Sequence, residues 1–295
     1  MRSYRVNLVS TCRNGGADLE IQRLAAFSDG EVGGNPAGVV ICDVLPGATT
    51  MQSVAAEVGY SETAFAAWEN GRWRVRYFAP EAEVAFCGHA TIALGAALCL
   101  RFGDGVFALQ LNGAAITVEG RRDGGGLAAF LQSPPTRSEP ASERVVGGAL
   151  EVFGLSADQL ERSIAPAIAN AGVNHLVLAL SSRKLLLGMH YDFEVGRSFM
   201  TSEEIGTVSL LFAETPRLFH ARNPFPVGGV YEDPATGAAA AALGGYLRDI
   251  AWPHAGVIDI VQGEDMGCRS LLRAEIPPKR GSSVRVSGRV RIIEP

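Results

Sequence analysis

Two pseudo-symmetric α/β (α+β) halves, each wrapping strands around a central buried helix, are predicted by three observations. The first is the stretch Val230–Leu247, V-Y-E-D-P-A-T-G-A-A-A-A-A-L-G-G-Y-L. Two carboxylates, Glu232 and Asp233, lead into a Pro–Ala–Thr–Gly turn, and Ala238–Leu243 then reads as a helix because Ala is the best helix former. That helix has no polar face before Arg248. A helix apolar all round is buried, and this one is too short to span a bilayer. The second observation is an earlier copy of the same design: Phe86-Cys87-Gly88-His89 opens a small-residue apolar helix over Ala90–Leu100. An offset of 149 residues takes Gly88 to Gly237, Leu94 to Leu243, Gly95 to Gly244 and Leu98 to Leu247. The third is context. Each helix follows an aromatic–proline segment, Phe78-Ala79-Pro80 in one half and Pro224-Phe225-Pro226 in the other. A cleft between such halves would be faced by both helix N-termini, whose free N–H groups and dipoles suit an anion.

Composition sets the outer limits. The chain has 295 residues, 47% hydrophobic and 19% charged, enough for a substantial core and one large or two moderate domains. A formal net charge of −5 and scattered Arg residues, with no basic stripe, speak against nucleic acid as a partner. No signal-peptide pattern opens the chain and no long uncharged apolar run follows, so a cytoplasmic protein with no membrane partner is expected. The five cysteines (Cys12, Cys42, Cys87, Cys99, Cys268) are odd in number and lack C-x-x-C spacing, which reads as buried free thiols in a reducing compartment.

Along the chain, Tyr4–Ser10 alternates as a strand and Asn14-Gly15-Gly16 turns into a second strand, Leu19–Phe27. Gly33-Gly34-Asn35-Pro36 is a turn before the short buried strand Ala37–Cys42. Thr50–Val58 reads as a helix stopped by Gly59, Ser61–Phe65 as extended chain, and Arg72–Phe78 as a clean strand. Short strands with glycine turns run to about Leu131. Ser133–Pro140, polar and proline-rich, is the linker candidate, dividing the chain into domains 1–132 and 133–295, with the last strand free to cross back to the first. Glu143–Leu150 fits either state, Ser156 caps a helix start through Leu160, and Asn174–Leu180 is a buried strand. Ser202–Gly206 is a short capped piece; Val208–Ala213, Val257–Gln262 and Ser283–Ile293 are strands.

Phosphate-loop, dinucleotide, zinc-protease and serine-elbow motifs are all missing from the sequence. Cys87 and His89 stand two apart, but no second Cys/His pair has zinc spacing, so nucleotide, metal and serine-hydrolase chemistries have no positive support and no metal is expected. Acid–base groups at turns remain. Glu62, in the apolar setting G-Y-S-E-T-A-F, would be partly desolvated and usable as an acid near neutral pH, or else an ordinary strand-edge glutamate. His89 opens the first buried helix as a reactive imidazole or as a capping or core histidine. Asp233 stands before the second helix, facing a substrate or serving as its N-terminal charge. Cys87 is a thiolate at a helix start or a structural apolar residue. His175, leading a buried strand, is most simply a satisfied hydrogen-bonding group.

Taken in order, G-N-P-A-G-V at 34–39, S-E-T-A-F at 61–65, F-C-G-H-A-T at 86–91 and E-D-P-A-T-G at 232–237 resemble the signatures of the PhzF-like (phenazine-biosynthesis-like) family of the diaminopimelate-epimerase-type superfamily. Q-G-E-D-M-G at 262–267 and the closing V-x-V-S-G-x-V are similar to its C-terminal pattern. The resemblance implies two diaminopimelate-epimerase-like domains, each a curved sheet or barrel around a central helix, with the active site between them, no cofactor, and a homodimer. Its best-understood member isomerises trans-2,3-dihydro-3-hydroxyanthranilate by moving a proton on a glutamate, which matches Glu62; the other site residues fall on Ser61, Gly88, His89, Asp233 and Gly237. Three departures stand out. Ala238 occupies the place of a family Ser, the late G-R-P-S-like segment reads Gly267-Cys268-Arg269-Ser270, and Met1–Asp18 extends the usual start.

The expected activity is therefore a cofactor-independent isomerase. It acts on a small carboxylate-bearing metabolite, with Glu62, His89 and Asp233 catalytic and Ser61, Gly88, Gly237 and Ala238 holding the substrate. A ligand-binding protein of the same fold that has lost catalysis is the alternative. Amino-acid racemisation is the third reading; it needs two cysteines, and against Cys87 the second half offers only Ala235 and Thr236.

Overall fold

A computed structural model describes residues 10–14, 17–124 and 126–294, which form two compact units. The first holds the chain up to Glu31, Asn35–Leu131 and, from the far end, Gly288–Pro295; the second holds Val32–Gly34 and Gln132–Ser287.

The first unit is built from β1 (Ser10–Asn14), β2 (Ala17–Ser28), β3 (Asn35–Cys42), α1 (Ala48–Val58), β4 (Thr63–Glu69), β5 (Arg72–Phe78), β6 (Glu83–Val84), α2 (Gly88–Phe102), β7 (Gly105–Gln110), β8 (Ala115–Asp123) and β9 (Gly126–Pro135). Strand β3 runs parallel to β4, β4 antiparallel to β5, β5 parallel to β7 and β7 antiparallel to β8. Helix α2 packs on β2, β3, β4, β7 and β8, and is buried from His89 to Cys99. Around it the side chains are small on purpose: a Cβ added to Gly95 would stand 2.5 Å from Val118 Cγ2, so this glycine sets how closely helix and sheet approach. Helix α1 covers the opposite face, where Met51, Val54, Ala55 and Val58 pack with Ile21, Val40, Phe65 and Phe78. Gly59, at φ 70°, ends α1 in the left-handed conformation expected of a glycine stop.

The second unit continues with β10 (Arg137–Pro140), α3 (Glu143–Phe153), β11 (Ala167–Asn170), β12 (Asn174–Ala179), α4 (Arg183–Leu187), α5 (Phe193–Ser202), β13 (Thr207–Thr215), β14 (Leu218–Phe225), β15 (Val230–Asp233), α6 (Gly237–Asp249), β16 (Val257–Gln262), β17 (Ser270–Glu275) and β18 (Ser283–Ile292). Its strand directions repeat the first unit's. Strands β12 and β13 are parallel, β13 and β14 antiparallel, β14 and β16 parallel, β16 and β17 antiparallel. In both units the second parallel step crosses over the central helix, here α6, which packs on β10, β11, β12, β16 and β17. The matched glycine, Gly244, lies against Ile276 and Val284, where an added Cβ would find carbon atoms at 3.1 and 3.3 Å.

Three expectations need correction. Ser133–Pro140 is no linker: β9 runs to Pro135 and β10 pairs with β11. Between them Thr136 is buried, donating to Ser282 O at 3.0 Å and accepting from Arg248 Nη2 at 2.7 Å. Proline there marks strand ends, where no ladder N–H is needed. Ser202–Gly206 is not a separate capped piece: Ser202 is the last residue of α5 and residues 203–206 are the turn after it. Helix α5 is opened by Asp192, whose carboxylate accepts from the N–H groups of Glu194 and Val195. Ser156 opens only a 3₁₀ turn, Ala157–Gln159, through a capping box. The ambiguous Glu143–Leu150 is helical within α3, capped by Ser142. Helices α3, α4 and α5 cover the outer face of the second unit's strands, over a core of Phe153, Leu176, Leu178, Leu186, Met200 and Leu210. Of the expected strand Tyr4–Ser10, all but Ser10 lies outside the described residues, as do Gly15 and Gly16.

Candidate active site

In the first unit, Glu62 is the residue before β4, and its carbonyl accepts from Gly38 N–H at 3.2 Å, tying it to the G-N-P-A-G strand. His89 is the second residue of α2. Because β4 lies beside β3 and α2 packs on both, these two residues, 27 apart in sequence, meet: His89 Nε2 is 3.4 Å from Glu62 Oε2, with side chains only 7% and 15% exposed. Ser61 Oγ lies 3.3 Å from the same nitrogen, and Cys87 Sγ lies 3.3 Å from Nδ1 and 3.9 Å from Nε2. The imidazole is thus surrounded by a carboxylate, a hydroxyl and a thiol. Behind it, Thr91 anchors the helix start: its hydroxyl donates to Cys87 O at 2.6 Å and bonds the buried Tyr77 OH at 2.7 Å. Burial pushes the Tyr77 phenol well above its ordinary range, so it stays a neutral hydrogen-bonding group. The α2 N-cap, Cys87, makes no side-chain cap, which leaves the first N–H groups of the helix to other acceptors.

In the second unit, the two acids of the E-D-P-A-T-G stretch separate, because successive strand residues point to opposite faces. Glu232 is buried and binds Arg222, with Nη2–Oε2 at 2.6 Å and Nε–Oε1 at 3.0 Å. Arg222 Nη1 also donates to the carbonyls of Leu186, Leu187 and Met189. Burial works against that guanidinium's charge, but the bonds and charge of Glu232 outweigh it and hold its pKa above the ordinary value. Glu232 is therefore a packing residue. Asp233 turns to the helix start, where its Oδ2 accepts from Thr236 Oγ1 at 2.6 Å. Thr236 is the N-cap of α6, and Gly237 is buried with Ala238 half-buried just inside.

Gln262 holds this turn, and sequence reasoning gave it no role. From its buried position it donates to Asp233 O at 2.7 Å and Thr236 Oγ1 at 3.0 Å, and accepts from Thr236 N–H at 3.1 Å. Gly263 follows at φ 72°, and a Cβ there would fall 2.7 Å from Pro234 O. The Q-G pair of the Q-G-E-D-M-G motif is the signal: an amide to pin the turn and a glycine to let it close. His175 is less satisfied than expected. Its Nδ1 meets Thr207 Oγ1 at 2.8 Å, but Nε2 has no partner among the described residues, and burial lowers its pKa to about 4. Among the described thiols, Cys87 and Cys99 are buried and Cys42 and Cys268 half-buried, while the Cys12 side chain lies outside the described residues.

The family model described as phenazine biosynthesis-like protein matches residues 24–294. The chain belongs to the PhzF-like family. Curated relatives of this PhzF-like chain include an isomerase of Deinococcus radiodurans, 34% identical over 75% of the chain and 73% of the relative. Another is the trans-2,3-dihydro-3-hydroxyanthranilate isomerase of Pseudomonas aeruginosa, 32% identical over 89% of the chain and 93% of the relative. Among solved structures, a Bacillus anthracis phenazine biosynthesis protein of the PhzF family superimposes with a TM-score of 0.81, covering 93% of this chain and 96% of that one at 19% identity. A proline racemase from Agrobacterium radiobacter, at 11% identity, shares the fold with a TM-score of 0.64 over 94% of this chain and 91% of that one. Family and relatives make this PhzF-like chain an isomerase on the epimerase-type fold.

Proposed function

We propose that this PhzF-like isomerase moves a proton from one carbon to another of a small carboxylate-bearing metabolite, without a cofactor, using Glu62 as the proton carrier. The observation that carries the reading is the shielded Glu62–His89 pair at 3.4 Å. A carboxylate so placed takes a proton from carbon and returns it to another position, while the imidazole, oriented by Ser61 and Cys87, steadies the charge that develops on the substrate. In this proposal Ser61 and Gly88 hold the substrate beside Glu62, and the family resemblance gives Asp233 an assisting catalytic role, with Gly237 and Ala238 as substrate contacts. The first compound to test is trans-2,3-dihydro-3-hydroxyanthranilate, the substrate named for the 32%-identical relative. Ala238 offers a methyl where the family pattern has a hydroxyl, so related carboxylates of the same size belong in the same screen.

The test is turnover in deuterated water followed by mass spectrometry of the product. The wild type introduces solvent deuterium at carbon. Glu62→Gln is expected to lose at least about a hundredfold in turnover and exchange together. Undiminished exchange in Glu62→Gln removes the assignment. A compound that raises the melting temperature yet returns without label moves the chain to the binding-protein reading.

A further inference from the structure

Three chemically different donors converge at the start of α2. Glu62, Cys87 and His89 each bring one ligand atom, and these atoms lie within 4.8 Å of one another. We propose that they form a binding site for a thiophilic divalent cation, zinc foremost, and that occupation of it switches the isomerase off. The switching half rests on the proton-carrier reading of Glu62; the binding half does not.

The distances suit a metal. Tetrahedral zinc with bonds of about 2.3 Å to sulfur and about 2.1 Å to nitrogen and oxygen places ligand atoms roughly 3.6 Å (S to N) and roughly 3.4 Å (N to O) apart. Here Cys87 Sγ to His89 Nε2 is 3.9 Å and His89 Nε2 to Glu62 Oε2 is 3.4 Å, and rotation of the Cys87 thiol away from Nδ1, now 3.3 Å off, completes the set. The backbone beneath is already fixed, since Thr91 holds the Cys87 carbonyl through both its hydroxyl and its N–H. Burial of Cys87 and His89 keeps water from competing, and the partly exposed Glu62 leaves a way in. One thiolate, one imidazole and one carboxylate form a donor set that selects zinc or cobalt over magnesium and calcium, which prefer all-oxygen cages. On binding, the Cys87 thiol releases its proton to solvent and the sulfur's electron pair goes to the metal. Three protein ligands leave a fourth position open. The cation ties up the Glu62 carboxylate that carries the proton and the His89 nitrogen that steadies the developing charge, so the loaded protein is inactive.

The experiment uses full-length protein stripped with a chelator and titrated with cobalt(II), read by the near-ultraviolet thiolate-to-cobalt charge-transfer band, with zinc added afterwards to displace it. The expected result is one cobalt per chain with a band that zinc removes and excess magnesium does not. Cys87→Ser is expected to lose the band and to weaken zinc binding at least about tenfold, while Cys268→Ser keeps both. If Cys87→Ser does not fold, Glu62→Gln makes the comparison, keeping the band but weakening zinc at least about tenfold. Absence of a band in the wild type, or the same band in Cys87→Ser, overturns the site; so does displacement by magnesium. Cobalt binding is read without substrate. Its failure leaves the isomerase reading standing, and persistent exchange in metal-free Glu62→Gln removes that reading alone.

Discussion

Replacing Glu232 by Gln tests whether the two neighbouring acids of the E-D-P-A-T-G stretch do different work. The Arg222 side chain is 10% exposed and that of Glu232 3% exposed, so the pair sits almost wholly out of water. Gln keeps the shape of the side chain but leaves the guanidinium charge unbalanced and sets an amide N–H2 against a donor. Breaking one partner of a buried pair costs about 3–5 kcal/mol. Two features place this site at the lower end of that range. Arg222 Nη1 keeps its three carbonyl acceptors, and Asp265 Oδ2 stands 4.0 Å from Arg222 Nε. A loss of about 3 kcal/mol is expected, measured as a fall in the urea midpoint at unchanged slope. The double variant Arg222→Met with Glu232→Met is expected to regain most of it, because no charge is then left buried. Substrate affinity of the folded fraction is expected to stay unchanged in Glu232→Gln and to fall in Asp233→Asn. A destabilisation under about 1 kcal/mol, or a double variant no more stable than the single one, refutes the assignment of Glu232 to packing.

Gly95→Ala is expected to destabilise by about 1–3 kcal/mol despite its better helix propensity, because the new methyl meets Val118 at 2.5 Å. Gly244→Ala, with 3.1 Å to its nearest atom, is expected to change stability by less than about 1 kcal/mol; equal melting curves for the two variants count against glycine-set packing. His175, neutral in the fold with a pKa of about 4 against an ordinary 6.5, favours the folded state fully above pH 6.5. That stability is lost as pH falls from there toward 4, by up to about 3 kcal/mol. Urea titrations of wild type and His175→Asn at pH 7 and pH 5 check it, since the variant is expected to lose this part of the pH dependence. Gln262→Leu removes three hydrogen bonds to the Asp233–Thr236 turn and is expected to cost about 2 kcal/mol and to raise KM more than it lowers kcat. An unchanged KM places Gln262 in stability alone.

The central helices were legible in the chain because burial on every side leaves a compositional mark: eleven-residue stretches with hardly a polar side chain. Their equivalence was legible in Gly95 and Gly244, which the structure places at the close contact of helix and sheet in each unit. The outer helices were harder to read. Helix α5, F-E-V-G-R-S-F-M-T-S, buries only Gly196 and Met200, too few apolar positions to announce a period of 3.6. Proline misled at Ser133–Pro140, where it ends strands rather than loosening the chain. The site divides in the same way. Local grammar marks Asp233 and His89 at helix starts, whereas the convergence of Glu62 with Cys87 and His89 depends on how β4 and α2 pack on β3, a non-local fact that no spacing rule encodes. Glu232 and Asp233 look alike as letters; only the alternation of β15 sends one to Arg222 and the other to Thr236.

Strand β18 changes allegiance part-way along: Ser283–Ser287 count with the second unit and Gly288–Ile292 with the first, where Val290 and Arg291 pair with Ala26 and Ala25 of β2. During synthesis, then, the first half leaves the ribosome long before its own closing strand exists. Until Gly288–Ile292 emerge, the side of β2 from Leu24 to Ser28 that they cover is an edge open to other chains. The first unit completes its native ladder only once Gly288–Ile292 have been made, so a fragment ending near Leu131 is a poor candidate for independent expression. Removing Gly288–Ile292 harms the half of the protein that was made first.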